Sequence, residues 1–139
     1  MGCDIHLYFE KKNKNGQWEE IQIDKRLIPD DRSYGTFAFL ANVRNYDEFK
    51  ITPQFADRGI PDDTSLPETD GDDMYWLGDH SYTHAYLDEI LNAPWGEAEL
   101  EGCYFQVFCE YILPRICSFC VILSDEEKRN IRVIMGFDN

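Results

Sequence analysis

The alternation of apolar and polar residues is clearest in residues 2–10, which read GCDIHLYFE. Side chains on a strand point to opposite faces with a period of two, so this pattern predicts a strand with one apolar face, formed by Ile5, Leu7 and Phe9. The other face carries a row of functional groups, from Asp4, His6, Tyr8 and Glu10. We interpret this polar face as the floor of a site.

The next segment predicts an antiparallel hairpin. Residues 11–16 (KKNKNG) end in Asn-Gly, which is typical of a tight turn, and residues 18–23 predict a second strand. Trp18 and Ile21 share a face of that strand only if a bulge lies between them. Because a hairpin alone is not stable, its apolar face requires a third strand or a helix.

The middle of the chain predicts two helices separated by a long connection. Ser33 stands at an N-cap position, and apolar residues at helical spacing predict a helix over 34–43 that covers the hairpin. Prolines and glycines interrupt every candidate element in residues 44–78, which predicts a long ordered loop. A short helix is predicted over 84–92, ending at Pro94.

The last third of the chain predicts a helix and a strand. Residues 98–113 form an amphipathic pattern that Pro114 stops or kinks. Periodicity does not distinguish helix from strand in residues 115–123. A charged turn follows over 124–130, and residues 131–137 predict a strand that is apolar on both faces and therefore central in a sheet.

Strands at both ends with helices between them predict an α+β fold. We expect a small antiparallel sheet, made of the N-terminal hairpin plus the C-terminal strand, packed against helices, with a long ordered central loop. A length of 139 residues fits a single domain over 1–139. If the first and last strands are neighbours, Asp138 approaches Asp4 and His6.

Charge and hydropathy limit the partners. A net charge of −14 argues against a protein that grips nucleic-acid backbones, and it allows a small anionic ligand held by a few arginines or a basic protein partner. No apolar run reaches the roughly 18 residues of a membrane span, and no signal peptide is visible. The Met-Gly-Cys start departs from the myristoylation pattern at His6. These features predict a cytoplasmic protein that does not bind membranes.

The five cysteines are predicted to be unpaired and metal-free. An odd number and no signal peptide indicate a reducing compartment. Cys117 and Cys120, with Cys103 and Cys109, offer four zinc ligands, but their apolar flanks favour thiols that pack as small hydrophobes. The acidic residues 70–73 lack EF-hand spacing, which favours a solvated loop over a calcium site.

Several polar residues stand where packing does not require them. We predict that they converge around one ligand pocket: Asp4, His6, Arg44, Asn45, Arg58, His80, Ser81 and Tyr82. His80 is expected in the loop before the helix over 84–92, where it contacts a ligand beside free N–H groups or holds the loop together. Replacing Arg58 or His80 by Ala is expected to abolish binding with little change in melting temperature.

The chain resembles a family of uncharacterised small proteins of bacteriophages and bacterial genomes that begin MGCDIH and end FDN. The shared motifs are residues 1–6; residues 31–32 with 34–45; residues 58–63; residues 80–82 with Leu87 and Glu89; and residues 132–133 with 137–139. Ser33 and Gly35 depart from the family pattern, and His84 stands where the family tends to have Trp. The resemblance implies a phage-associated, cytoplasmic setting and brings no known activity.

Three functions remain open at this point. The first is binding of a small anionic, nucleotide-like ligand by Arg44, Arg58 and His80, in order to sequester or degrade a host signalling nucleotide. The second is a metal-dependent hydrolase, the one reading that includes a cofactor, with a divalent ion held by Asp4, His6, His80 and Asp138. The third is an acidic interaction protein that docks a basic host protein.

Overall fold

A four-stranded antiparallel sheet with the order β2-β1-β4-β3 forms the centre of the molecule. The structure, a computed structural model, describes residues 2–47, 49–69, 74–118 and 122–139. The strands are β1 (Asp4–Lys12), β2 (Trp18–Glu20), β3 (His80–Tyr86) and β4 (Ile131–Asp138). The helices are α1 (Tyr34–Ala41), α2 (Leu87–Asn92), α3 (Tyr104–Val107), α4 (Leu113–Cys117) and α5 (Asp125–Arg129), with a π-helical turn over Phe108–Ile112. The predicted α+β fold is confirmed.

Strand β4 occupies the central position that its apolar sequence predicts. It pairs with β1 from Asp4 opposite Asp138 to Lys11 opposite Ile131, and with β3 on its other side. Residues 131–137 are all buried. The predicted adjacency of the first and last strands is therefore confirmed.

The main core lies between one face of the sheet and the helices. Phe37 of α1 packs edge-on against Phe137 at 5.3 Å between ring centroids, and Phe9 packs against Phe108 at 5.2 Å. Burying one such ring contributes about 1.5–3 kcal/mol. The helix-covered face is thus the apolar face that the alternation in β1 predicts.

Residues 80–86 form a strand, which corrects the predicted helix start at residue 84 and the predicted loop position of His80. The edge of β4 offers backbone partners to this segment, and Thr83 and Ala85 are fully buried on the helix-covered face. Helix α2 begins only at Leu87. The residue before it, Tyr86, is the N-cap, and its backbone N–H donates a hydrogen bond to the side chain of Glu89 in the first turn.

The long helix predicted over 98–113 begins later, at Tyr104, because Glu99 and Gly102 take left-handed backbone conformations. Pro114 does not end the helix. The backbone N–H of Leu113 donates to the carbonyl of Phe108, five residues back, and the π-helical turn accommodates the proline, which has no N–H. Helix α4 then continues to Cys117.

Three other boundaries differ from the sequence prediction. Strand β2 ends at Glu20 rather than at residue 23, and α1 ends at Ala41 because Asn42 is left-handed. The predicted turn over 124–130 is the short helix α5, since Ser124 and Glu127 form a capping box. In the described part of the chain, no helix is both long enough and apolar enough to cross a membrane.

Candidate functional site

The second face of the sheet, here called the outer face, carries the polar row of β1. Directly paired residues of antiparallel strands share a face, so this row lies beside alternate residues of β4. Its members are Asp4, His6, Tyr8, Glu10, Arg132, Ile134, Gly136 and Asp138. The central loop contacts this face through Leu66, Tyr75 and Leu77.

Residues 74–79, here called the crossing segment, run over the outer face at Gly136. A Cβ atom at Gly136 would lie 1.9 Å from the carbonyl oxygen of Leu77, so only glycine permits this approach. The backbone N–H of Asp79 donates to the carbonyl of Phe137 at 2.9 Å. The Tyr82 hydroxyl donates to the carbonyl of Gly78 at 2.5 Å. The crossing segment is therefore fixed to both β4 and β3.

Tyr75, Trp76 and Leu77 of the crossing segment form a wall that two cavities share. The larger cavity has a volume of about 650 Å³. It is also lined by Ile60, Thr64, Leu66, Pro67, Glu68, Thr69, Gly78, Asp79 and Tyr82. The smaller cavity, of about 230 Å³, is lined on its other sides by Ile5, His6, Leu7, Tyr8, Lys25, Ile28, Asp30 and Met74.

The larger cavity is aromatic and acidic. Tyr75, Trp76 and Tyr82 line it, and Glu68 and Asp79 bring two carboxyl groups. Within the described chain, no lysine or arginine lines this cavity. Its walls therefore suit an apolar or positively charged group better than a phosphate.

His6 lies between the smaller cavity and Asp138. Its Nε2 is 2.5 Å from Oδ2 of Asp138, and the two side chains are 28% and 18% exposed. The imidazole ring packs against Trp76, with 5.1 Å between the two ring centroids. Gly136, directly opposite His6, has no side chain to separate the imidazole from Asp138.

Asp4 is engaged by Arg32 rather than by His6. Nε and Nη2 of Arg32 donate to the two carboxylate oxygens at 2.7 and 3.3 Å. The hydrogen bond from Arg32 lowers the pKa of Asp4, and the nearby His6 adds to the shift. A Cβ atom at Gly2 would lie 2.0 Å from Arg32, so the guanidinium also packs on the backbone of Gly2.

Arg44 and Asn45 line neither cavity. The Arg44 guanidinium lies 5.2 Å from the ring centroid of Tyr34, whose hydroxyl accepts a hydrogen bond from the backbone N–H of Cys3. Arg44 thus sits near the start of β1. The Asn45 amide binds both backbone groups of Ile51, at 2.6 and 3.0 Å, and organises its own loop.

Arg58 is bound to Glu89. Two parallel hydrogen bonds of 2.7 and 2.8 Å join the guanidinium to the carboxylate, and the guanidinium also lies 5.1 Å from the ring centroid of Phe55. Arg58 lines neither cavity. This ion pair gives Arg58 a structural role that its position in the sequence does not reveal.

His80 and His6 belong to different faces of the sheet. His80 pairs with Phe137, on the helix-covered face, and its ring stacks at 6.4 Å from that of Phe137. Its Nδ1 lies 2.9 Å from the Ser81 hydroxyl and its Nε2 lies 3.4 Å from the side-chain oxygen of Asn139.

The predicted set therefore does not close around one cavity. The structure places Asp4, His6 and Asp138 together, Tyr82 in the wall of the larger cavity, and the remaining members elsewhere. No group of three or more His, Cys, Asp or Glu side chains is arranged to hold a metal ion within the described ranges. The acidic residues 70–73, considered above for calcium, lie outside those ranges.

Sequence reasoning missed the crossing segment. Tyr75, Trp76 and Leu77 form an apolar run inside a loop that is otherwise acidic and rich in glycine and proline. Three such residues exposed in a solvated loop would be costly, and this was the signal that the loop packs against the rest of the protein.

Comparisons of the chain with family models, curated proteins and solved structures find no match.

Proposed function

We propose that this protein binds a small molecule through a flat, uncharged or positively charged ring in the larger cavity. The observation that carries the proposal is a cavity of about 650 Å³ with Tyr75, Trp76 and Tyr82 in its walls. This volume falls in the range of about 300–1,000 Å³ that ligand sites occupy. Aromatic walls favour planar ligands through offset or edge-to-face packing.

The charge of the walls bears on the ligand class. Glu68 and Asp79 repel an anion, and they attract a cation that the aromatic rings also attract. Arg58, expected from the sequence to bind phosphate, is held by Glu89, and Arg32 is held by Asp4. A nucleobase or nucleoside without phosphate therefore fits this cavity better than the anionic nucleotide expected from the sequence.

The resemblance to phage proteins supports a phage-associated, cytoplasmic setting for this binding, as part of the proposal. In that setting, capture of a nucleoside-like host metabolite would be the useful outcome. The same setting suits an acidic protein that docks a host partner, but no described surface favours that alternative.

The test is calorimetric titration with adenosine, adenosine monophosphate and tryptamine. We expect adenosine and tryptamine to bind and the monophosphate to bind more weakly. Trp76→Leu should abolish binding, whereas Trp95→Phe, in the opposite core, serves as the matched control. In the double variant Glu68→Gln with Asp79→Asn, the difference in affinity between adenosine and adenosine monophosphate should become smaller. Tighter binding of the monophosphate to the wild type, or no binding of any of the three, would refute the proposal.

A further inference from the structure

The smaller cavity holds a second feature, which is independent of ligand binding in the larger one. His6 lines this cavity, and in the described part of the chain Asp138 is its only hydrogen-bond partner. Asp4, the other carboxylate on this part of the outer face, is held by two hydrogen bonds from Arg32. Asp138 is therefore the group that orients the His6 ring.

The orientation of the ring fixes its tautomer. A carboxylate can only accept a hydrogen bond, so in the neutral imidazole Nε2 carries the hydrogen and Nδ1 carries the lone pair. The packing of Trp76 on the ring and the pairing of β1 with β4 restrict both partners. A histidine held in this way by a carboxylate has its second nitrogen ready to accept a proton.

We infer that His6 and Asp138 form a general-base pair that serves the smaller cavity, where it activates water against a small ester. No serine, threonine or cysteine is among the described residues that line this cavity, so water is the nucleophile. Lys25 and Asp30 also line the cavity, and in this reaction the Lys25 ammonium stabilises the oxygen that becomes negative during attack. A volume of about 230 Å³ limits the acyl group to a small one.

The reaction is a balanced hydrolysis. Water oxygen forms a bond to the acyl carbon while Nδ1 of His6 takes a proton from that water. The bond from the acyl carbon to the leaving oxygen then breaks, and the proton on His6 passes to the leaving oxygen or to solvent. Asp138 takes no proton in these steps and acts as a positioning residue, because it accepts the hydrogen bond from Nε2–H of the resulting imidazolium.

The first test measures the tautomer in the unmodified protein. Long-range nitrogen–proton NMR spectra at alkaline pH, where histidines are neutral, distinguish a protonated ring nitrogen from an unprotonated one. We expect His6 to carry its hydrogen on Nε2. A hydrogen on Nδ1 would overturn the inference, and this result does not depend on whether any variant folds.

The second test uses hydrolysis of p-nitrophenyl acetate. His6→Gln should lower the rate by about 10²-fold or more, the scale of a lost general base. Asp138→Asn should also lower it, since the amide can donate to Nε2 and reverse the tautomer, which the NMR spectrum would show as hydrogen on Nδ1. His80→Gln, on the other face of the sheet, is the matched control and should leave the rate unchanged. A wild-type rate no higher than that of His6→Gln, or an Asp138→Asn rate equal to that of the wild type, would refute the general-base pair.

Discussion

Nε of Arg132 donates to Oε1 of Glu10 at 2.6 Å, directly across the β1–β4 pair, and both side chains are fully buried. The Arg132 guanidinium also stacks on Trp18 at 3.8 Å. Its Nη2 lies 2.9 Å from Oδ1 of Asp63 and forms an ion pair with it, but the N–H does not point at the oxygen closely enough for a hydrogen bond. The Glu10 carboxylate accepts from the backbone N–H and the hydroxyl of Ser65. This ion pair thereby fastens the central loop to the sheet.

Breaking this pair from one side should be costly. Arg132→Met leaves the buried Glu10 carboxylate without its arginine, so we expect it to lower the free energy of unfolding by about 3–5 kcal/mol. Glu10→Leu should cost less, because the Arg132 guanidinium keeps its ion pair with Asp63. The double variant should lose less unfolding free energy than the two single variants added together, because it buries no charge. Urea denaturation measures all three. Arg26→Ala, from the exposed Arg26–Asp24 pair, is the control and should cause no measurable change. Equal effects at Arg132 and Arg26 would contradict this role.

Arg58→Ala should destabilise the protein, contrary to the expectation from sequence that it leaves the melting temperature unchanged. The Arg58–Glu89 pair is partly exposed, so screening limits its contribution to about 1 kcal/mol. Arg58→Lys keeps the charge and loses the paired geometry, and it should lie between the wild type and Ala. Thermal unfolding of the three proteins measures this order. An Arg58→Ala protein as stable as the wild type would remove the structural role.

The same pair should contribute to acid sensitivity. The hydrogen bond from Arg58 is the main cause that lowers the pKa of Glu89 below its ordinary value of 4.5. A carboxyl whose pKa is lower in the folded state adds stability above pH 4.5, and this stability is lost as the pH falls through the folded pKa. Urea denaturation between neutral pH and about pH 3 should therefore show a shallower acid loss for Arg58→Ala than for the wild type. Parallel curves would exclude this linkage.

The cysteines should differ in reactivity. Cys3, Cys103, Cys109 and Cys117 are free thiols, while Cys120 lies outside the described ranges. Burial raises the pKa of Cys3, Cys109 and Cys117, and Cys3 and Cys109 are fully buried. Brief iodoacetamide treatment of the native protein should therefore label Cys103 and leave Cys3 and Cys109 unmodified. Peptide mass spectrometry should find five labelled thiols after denaturation. Three or fewer would contradict the prediction that all are unpaired.

The elements that sequence predicts best are those whose own pattern is strong. Strict alternation identified β1, and a continuous apolar run identified β4 as central. Strand β3 was missed because Thr83, followed by residues 86–91, has the pattern of a short capped helix, and because its strand conformation depends on pairing with β4. Local pattern does not contain that tertiary information.

The candidate site was predicted in part for a related reason. The polar row of β1 and its approach to Asp138 follow from strand periodicity. The partner of Arg58 does not, since Glu89 lies 31 residues away and nothing local selects it. The charge of Arg132 within an apolar strand was a usable signal, because a buried arginine requires a carboxylate and Glu10 was available in the polar row.

Gly136 determines how the crossing segment lies on the sheet, and Gly136→Ala tests that arrangement. The added Cβ would lie 1.9 Å from the carbonyl oxygen of Leu77 and 2.9 Å from the ring of Tyr82. Since the closest atom belongs to the backbone, the segment must move, which should cost about 1–3 kcal/mol of unfolding free energy. Gly96→Ala is the matched control, because its Cβ would meet only the Glu101 carboxylate at 3.6 Å.

The displacement should also reach both cavities, since Trp76 belongs to the wall of each. We expect Gly136→Ala to weaken adenosine binding, to slow p-nitrophenyl acetate hydrolysis and to shift the emission of Trp76, isolated by comparison with Trp76→Phe. Gly96→Ala should change none of these. If stability falls but the emission of Trp76 does not shift, strand β4 moves to make room for the new side chain and the crossing segment stays in place. Full stability with unchanged emission would mean that residues 74–79 do not rest on Gly136, and the two cavities would then lose their common wall.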